Sequence, residues 1–137
     1  MLTVVLAAMG VFALLPGCSA AARPDPGQAF DEITRRSLNE ETQYVRAHLA
    51  PSYLAAAKAQ NANVESDEFI RALMTQLQLC RSTVVQKTGD PNSVTVEAAC
   101  VQSGTIMQSK YDLVYDKKSG WMLAVPAYDT HPMHPAQ

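Results

Sequence analysis

Residues 93–102 read SVTVEAACVQ and residues 105–115 read TIMQSKYDLVY, and both runs alternate apolar with polar side chains. Alternation with period two is typical of β-strands that bury one face. Similar runs at residues 79–87 and 121–125 predict two further strands. Turn residues separate the four runs, so neighbours along the chain are expected to pair as hairpins. The sequence therefore predicts a four-stranded antiparallel meander.

The turns predict one register for this meander. With residues 103–104 as a two-residue turn, Cys100 lies opposite Met107, and a loop centred on Lys118 sets Tyr115 opposite Trp121. A slip by one residue would turn the apolar side chains to the other face. The inner, apolar face is predicted to hold Val84, Val94, Val96, Ala98, Met107, Tyr111, Leu113, Tyr115, Trp121, Leu123 and Val125. The outer, polar face is predicted to hold Thr95, Glu97, Gln108, Lys110 and Asp112.

The chain before the first strand has a helical pattern. Asp25 followed by Pro26 predicts the start of one helix, and Ser66 predicts the N-cap of another. Two shorter helices are predicted at residues 39–48 and 52–60. Because a sheet with one apolar face needs a covering layer, we expect an α+β fold with N-terminal helices packed on one face of a curved sheet.

Length and charge narrow the class of protein. The chain has 137 residues and a formal charge of −2, with 11 basic and 13 acidic side chains mixed along it. This length suits one domain, and the absence of a clustered basic surface excludes a nucleic-acid partner. The sequence has no phosphate loop, nucleophile elbow or paired-cysteine zinc motif, so we expect neither cofactor nor metal.

The first residues have the pattern of an export signal. No charged side chain occurs before residue 23, and the apolar run ends in Leu15-Pro16-Gly17-Cys18, which resembles the lipobox of bacterial lipoproteins. The resemblance implies that residues 1–17 are removed and that Cys18 carries lipid on the membrane. Ser19 then implies, for a Gram-negative source, the periplasmic face of the outer membrane. A plain transmembrane anchor is the alternative. Residues 18–28, rich in Ala and Pro, are predicted to form a tether.

The cysteines fit an exported protein. If Cys18 carries lipid, Cys80 and Cys100 remain as a pair. A loop centred on Asp90 places them opposite each other on neighbouring strands, within disulfide reach. The sequence therefore predicts a disulfide, with two buried thiols as the alternative.

The order of elements over residues 29–128 is similar to the cystatin-like roll of the nuclear transport factor two-like superfamily. Helices precede a curved meander that closes with Trp121 after a turn, although the further strand expected between the helices is not visible. The resemblance implies a cavity between sheet and helices, and in a cavity enzyme the candidates for proton transfer are His48, Tyr111, Asp112 and Asp116. The register places Asp112 on the polar face and Asp116 in a turn, which disfavours catalysis.

We therefore expect a non-enzymatic, lipid-anchored envelope domain that binds a protein partner or a small apolar ligand. The alternative is a cavity enzyme of the same superfamily. The face that holds a ligand, or that simply packs as core, is expected to include Met107, Tyr111, Tyr115 and Trp121.

Residues 129–137 are predicted to form a disordered tail, because they follow the last strand and are rich in proline. This segment contains a donor set suited to copper, although nothing fixes a coordination geometry and no metal site is expected. The donors are Asp129, His131, Met133 and His134.

Overall fold

The computed structural model describes residues 23–133. Its helices are α1 (Pro26–Leu38), α2 (Thr42–Ala47), α3 (Pro51–Ala59) and α4 (Asp67–Leu77). Its strands are β1 (Cys80–Lys87), β2 (Ser93–Gln102), β3 (Thr105–Asp116), β4 (Gly120–Leu123) and β5 (Tyr128–Pro132). The five strands form one antiparallel sheet that does not close into a barrel. The predicted α+β class, with helices before the sheet, is confirmed.

Both predicted helix starts are capped as expected. The Asp25 carboxylate accepts the backbone N–H of Gln28, and the Ser66 hydroxyl accepts that of Phe69. Each bond satisfies an amide that has no partner within its helix. The second helix is shorter than predicted and begins at Thr42, because Glu40 has a φ of 58° and breaks the helical path.

The predicted pairing is confirmed for β2 with β3 and for β3 with β4, and for β1 with β2 it is confirmed from Cys80 to Ser82. Cys100 lies opposite Met107, and Tyr115 lies opposite Trp121. The turn between β2 and β3 has positive φ values at both of its central residues, 103 and 104. Such a turn follows the right-handed twist of paired strands, so it fixes the register of this hairpin.

Val84 departs from the predicted arrangement. A β-bulge between Ser82 and Val84 shifts the pairing of β1 with β2, so that Val85 lies opposite Val96 and Val84 opposite Glu97. The extra residue of a bulge reverses the faces of the residues that follow it. Val84 therefore lies on the outer face, 46% exposed, and its prediction as an inner residue is wrong. The predicted last strand was also too long, because β4 ends before Val125.

The inner face of the sheet packs against the helices, chiefly α1 and α4. Its centre is an apolar core from which solvent is almost completely excluded, and burial of such side chains is the main force that holds the two layers together. The core includes Phe30, Ile33, Val45, Ile70, Leu77, Val96, Leu113 and Leu123.

The predicted disordered tail is in part a fifth strand. β5 pairs with β3, with His131 opposite Gln108 and Pro132 opposite Met107. β4 and β5 lie along the same edge of β3 and are separated by residues 124–127. The prediction of disorder is therefore wrong for residues 129–132. Pro132 lies in β5, which pairs with β3 only and is therefore an edge strand, where proline is tolerated. His134 lies outside the described residues.

The segment between α2 and α3 also touches the sheet. Leu49 forms a single parallel bridge with Leu123, supported by a backbone hydrogen bond from Ala50 to Leu123. This bridge joins the helical layer to the end of β4.

Candidate functional site

The space between sheet and helices is filled by side chains. Tyr111 is 1% exposed, and its ring lies 4.9 Å from that of Phe30, measured between centroids. Its hydroxyl lies 3.7 Å from the sulfur of Cys80. Burial raises the pKa of Tyr111 far above its ordinary value, so the phenol is neutral at physiological pH. Tyr111 is thus a core residue.

Burial also raises the pKa of a second core tyrosine, Tyr53, to about 12. Other buried polar side chains have hydrogen-bond partners. Ser37 donates its hydroxyl to the backbone of its own helix, and Ser109 shares a hydrogen bond with Thr130. Within residues 23–133, every buried side-chain nitrogen or oxygen has a hydrogen-bond partner. Hydrogen bonding among these buried atoms is therefore complete.

The four candidates for proton transfer lie in different parts of the fold. On the outer face, Asp112 accepts hydrogen bonds from the hydroxyls of Thr95 and Tyr128. Asp116 accepts two backbone N–H groups of the β3–β4 turn. His48 stacks on Tyr44 at the end of α2, and Tyr111 lies in the core. The structure does not bring them together into one catalytic group.

Cys80 and Cys100 form a disulfide. They lie directly opposite each other on β1 and β2, as the register predicted. Because Cys80 follows α4 closely, the disulfide joins the end of the helical layer to the middle of the sheet. Cys18, the predicted lipidation residue, lies outside the described residues.

The predicted ligand face divides into two regions. Tyr111 belongs to the core, and Met107, four residues earlier on β3, is half-buried. Tyr115 and Trp121 instead hold residues 23–25, which we call the strap. The Trp121 indole N–H donates a hydrogen bond of 2.8 Å to the carbonyl oxygen of Pro24. The rings of Tyr115 and Trp121 pack edge to face, with their centroids 5.2 Å apart.

Arg23 completes the contacts of the strap. Its guanidinium lies 4.2 Å from the centre of the Tyr115 ring and donates a hydrogen bond of 2.7 Å to the carbonyl oxygen of Pro91. A cation over an aromatic face is attracted by the ring quadrupole. These contacts fix the strap to the end of the sheet that carries the β1–β2 and β3–β4 loops. The predicted tether, residues 18–28, therefore becomes part of the folded domain at Arg23.

Two open grooves flank the strap. One, of about 550 Å³, includes Lys87 and Asp90 in its lining. The other, of about 270 Å³, includes Glu32 and His48. Both share Trp121 as a wall and mix polar with apolar groups. Both grooves are open to solvent, so they differ from the largely enclosed cavities that hold small apolar molecules.

The charges next to the smaller groove neutralise each other. Arg35 and Arg36 both donate hydrogen bonds to the Glu32 carboxylate, at distances of 2.6 to 2.9 Å. These bonds lower the pKa of Glu32 to about 2. Arg36 also bonds Glu41 and lies over the ring of Tyr44. This network occupies three of the four charged side chains of α1, and the fourth, Asp31, bonds Ser82.

The outer face of the sheet carries an apolar row, which we define as Leu79, Val101, Ile106 and Met133. Val101 lies opposite Ile106, and backbone hydrogen bonds join Val101 to Leu79 and Met133 to Ile106. The four residues thus form one line across the strands, at the end of the sheet with the β2–β3 turn. Each is between 42% and 53% exposed.

Sequence reasoning missed the apolar row. The outer face was predicted to be polar, although the predicted register already set Val101 opposite Ile106 on that face. Leu79 and Met133 join the row because of the turn after α4 and the position of β5. Aligned apolar side chains that remain exposed are typical of interaction surfaces.

Among residues 23–133, no three His, Cys, Asp or Glu side chains are grouped so that they could hold a metal ion. In the same range, no helix has the length and hydropathy needed to cross a membrane. Comparisons with protein families, with curated proteins and with solved structures find no match for the chain.

Proposed function

We propose that this chain is a lipid-anchored domain of the cell envelope that binds a protein partner through the apolar row and is not an enzyme. The observation that carries this proposal is the apolar row itself, exposed on a sheet whose opposite face packs against the helices. A filled interior favours a surface partner over a small apolar ligand. It also gives no support to the alternative of a cavity enzyme.

The position of the strap supports the anchor. Cys18, in the motif that resembles a lipobox, precedes Arg23 by five residues, and Arg23 is held at one end of the sheet. The apolar row lies at the other end. On β2, Ser93 lies at the end of the sheet that holds the strap and Val101 lies in the apolar row. They are eight residues apart, a distance of about 26 Å along a strand. A lipid on Cys18 would therefore direct the apolar row away from the bilayer, toward other proteins.

Metabolic labelling with palmitate tests the anchor. We expect label on the wild-type protein and none on Cys18→Ala, which should also remain uncleaved because the processing motif needs its thiol. Cys18→Ala protein that still incorporates palmitate would contradict the lipoprotein assignment.

Site-specific photocrosslinking tests the binding surface. A photoreactive residue at Ile106, 53% exposed within the row, should give one protein adduct of defined mass that disappears when Val101→Asp is added. The matched control is the same reagent at Leu38, 59% exposed on α1 and outside the row. Equal adducts from both positions, or an adduct that Val101→Asp leaves unchanged, would contradict a role for the row.

A further inference from the structure

We propose that the partner of the apolar row is a second copy of this chain. The two sheets would pack outer face on outer face, related by a two-fold axis that runs parallel to the strands between β2 and β3. This inference rests on the proposed binding role of the apolar row, and the lipid anchor adds only a second reason for the direction of the axis.

The apolar row needs polar neighbours to make a stable interface. Four partly exposed side chains bury much less than the roughly 800 Å² per partner of a stable complex. The contact must therefore extend along β2 and β3, where polar and charged side chains follow the row. A partner with the matching charge pattern is required, because unpaired charges inside an interface are costly.

The chain supplies this pattern to itself. Glu97 on β2 lies opposite Lys110 on β3, at the same level of the sheet, just as Val101 lies opposite Ile106. Within one copy Glu97 accepts a hydrogen bond from Gln108 and Lys110 forms an ion pair with Asp129, so the contact between copies adds a second partner to each charge. A two-fold axis between β2 and β3 lays each β2 over the β3 of the other copy. Val101 then meets Ile106 of the partner subunit, and Glu97 meets Lys110 of the partner subunit. By symmetry each of these contacts forms twice.

The geometry of packed sheets permits both contacts. Aligned sheets pack about 10 Å apart with their strands at about 30° to each other. Because of this angle, residues that lie far from the centre of the contact are displaced sideways from their counterparts in the other copy. Val101 and Ile106 lie at that centre, and the long side chains of Glu97 and Lys110 make up the offset four residues further along the strands.

The proposed anchor favours the same direction of the axis as the charge pairs do. An axis perpendicular to the strands would place the two strap ends on opposite sides of the dimer. Residues 18–22 span at most about 17 Å when fully extended, which is less than the length of β2. An axis parallel to the strands places both straps at the same end. Both lipids then enter one membrane, and two anchors hold more firmly than one.

A zero-length carbodiimide crosslink on the full chain in bacterial membranes tests this interface. The reagent joins a carboxylate to an amine in direct contact, so wild-type protein should give a dimer band on a denaturing gel. Glu97→Lys and Lys110→Glu should each weaken that band about tenfold or more, because each variant removes one of the two groups that the reagent joins and also sets like charges against each other. Ile106→Asp should remove it, whereas Leu38→Asp should leave it unchanged.

Co-expression of the two charge variants separates an interface from a folding defect. Glu97→Lys leaves both positions basic and Lys110→Glu leaves both acidic, so a mixed dimer regains both charge pairs. With a size tag on one variant, we expect the band of the mixed dimer to return to the wild-type level. A misfolded variant is not rescued by mixing. Mixing without recovery, or a wild-type dimer band that Ile106→Asp does not change, would overturn the proposal.

Palmitate labelling of the same cells keeps the two proposals distinguishable. Label on Cys18 without a dimer band refutes the interface and leaves the anchor intact. A dimer band that responds to the charge variants, without label, refutes the anchor and retains the interface.

Discussion

Trp121 and Pro24 are joined by a hydrogen bond of 2.8 Å although they lie 97 positions apart in the chain. The indole N–H donates to the carbonyl oxygen of Pro24, and the Trp121 side chain is 5% exposed. This contact closes the domain by joining its first described residues to its last hairpin. Trp121 therefore has two separable roles, in packing and in holding the strap.

Substitutions at Trp121 should separate these roles. Trp121→Ala should lower the free energy of unfolding by about 3 to 5 kcal/mol, as is usual for loss of a large buried side chain. Trp121→Phe keeps an aromatic ring but removes the hydrogen bond to Pro24. It should lower the free energy of unfolding by about 1 kcal/mol, the usual contribution of one such bond. Denaturant unfolding followed by circular dichroism measures both. Equal losses for the two variants would show that packing contributes nothing beyond the hydrogen bond.

The disulfide between Cys80 and Cys100 should contribute a large share of stability. It closes a loop with a sequence separation of 20, which is worth on the order of 3 kcal/mol in the chain-entropy model. Reduction should therefore lower the melting temperature, and the double variant Cys80→Ala with Cys100→Ala should not respond to reductant. Thiol titration of the non-reduced, exported protein provides the check. Finding both thiols free would refute the pairing.

Loss of β5 should destabilise the domain. Truncation after Ala127 removes the pairing with β3 and the ion pair of 3.2 Å between Lys110 and Asp129. Each backbone hydrogen bond is worth about 1 kcal/mol, so a loss of about 2 to 3 kcal/mol is expected. Truncation after Met133 retains every contact described for this strand and serves as the control. Equal melting temperatures for the two truncated proteins would mean that the pairing of β5 adds no stability.

Alkaline pH should unfold the protein through its buried tyrosines. An exposed tyrosine has a pKa of about 10, whereas burial raises the pKa of Tyr53 to about 12 and that of Tyr111 further. Because a raised pKa favours the neutral form in the folded state, this stability is complete below about pH 10 and is lost as the pH rises through about 12. Tyr53→Phe should reduce the loss.

Tyrosinate absorbance and circular dichroism, recorded together, check the alkaline transition. The chain has five tyrosines, and the absorbance of the two buried ones should rise only as the fold is lost. Ionisation of all five while the circular dichroism remains native would contradict the assignment of Tyr53 and Tyr111 to the core.

The sheet was predictable because its signals are local. Alternation gives the faces, and the turn at residues 103–104 gives the register of its hairpin. The bulge in β1 was not predictable in this way. There Ser82 donates both its N–H and its hydroxyl to Asp31, a residue 51 positions earlier on α1. No pattern in the sequence around Ser82 indicates that it would bind so distant a residue.

The candidate site was predictable only in part. The outer-face pair of Val101 and Ile106 follows from the predicted register, yet the apolar row also needs Met133, which joins it only because β5 pairs with β3. The strap depends likewise on contacts between distant parts of the chain. Sequence periodicity reports which face a residue occupies within a strand, and it does not report which distant segment lies beside that strand.

The contact between Asp31 and Ser82 has a consequence for the protein's solubility. An edge strand with free N–H groups can add a strand from another molecule, and such additions lead to aggregation. On β1, the Asp31 carboxylate already occupies the N–H of Ser82, and the adjacent bulge kinks the strand. A foreign strand thus finds no regular ladder to extend at this position. The start of β1 is protected against fibril-like growth.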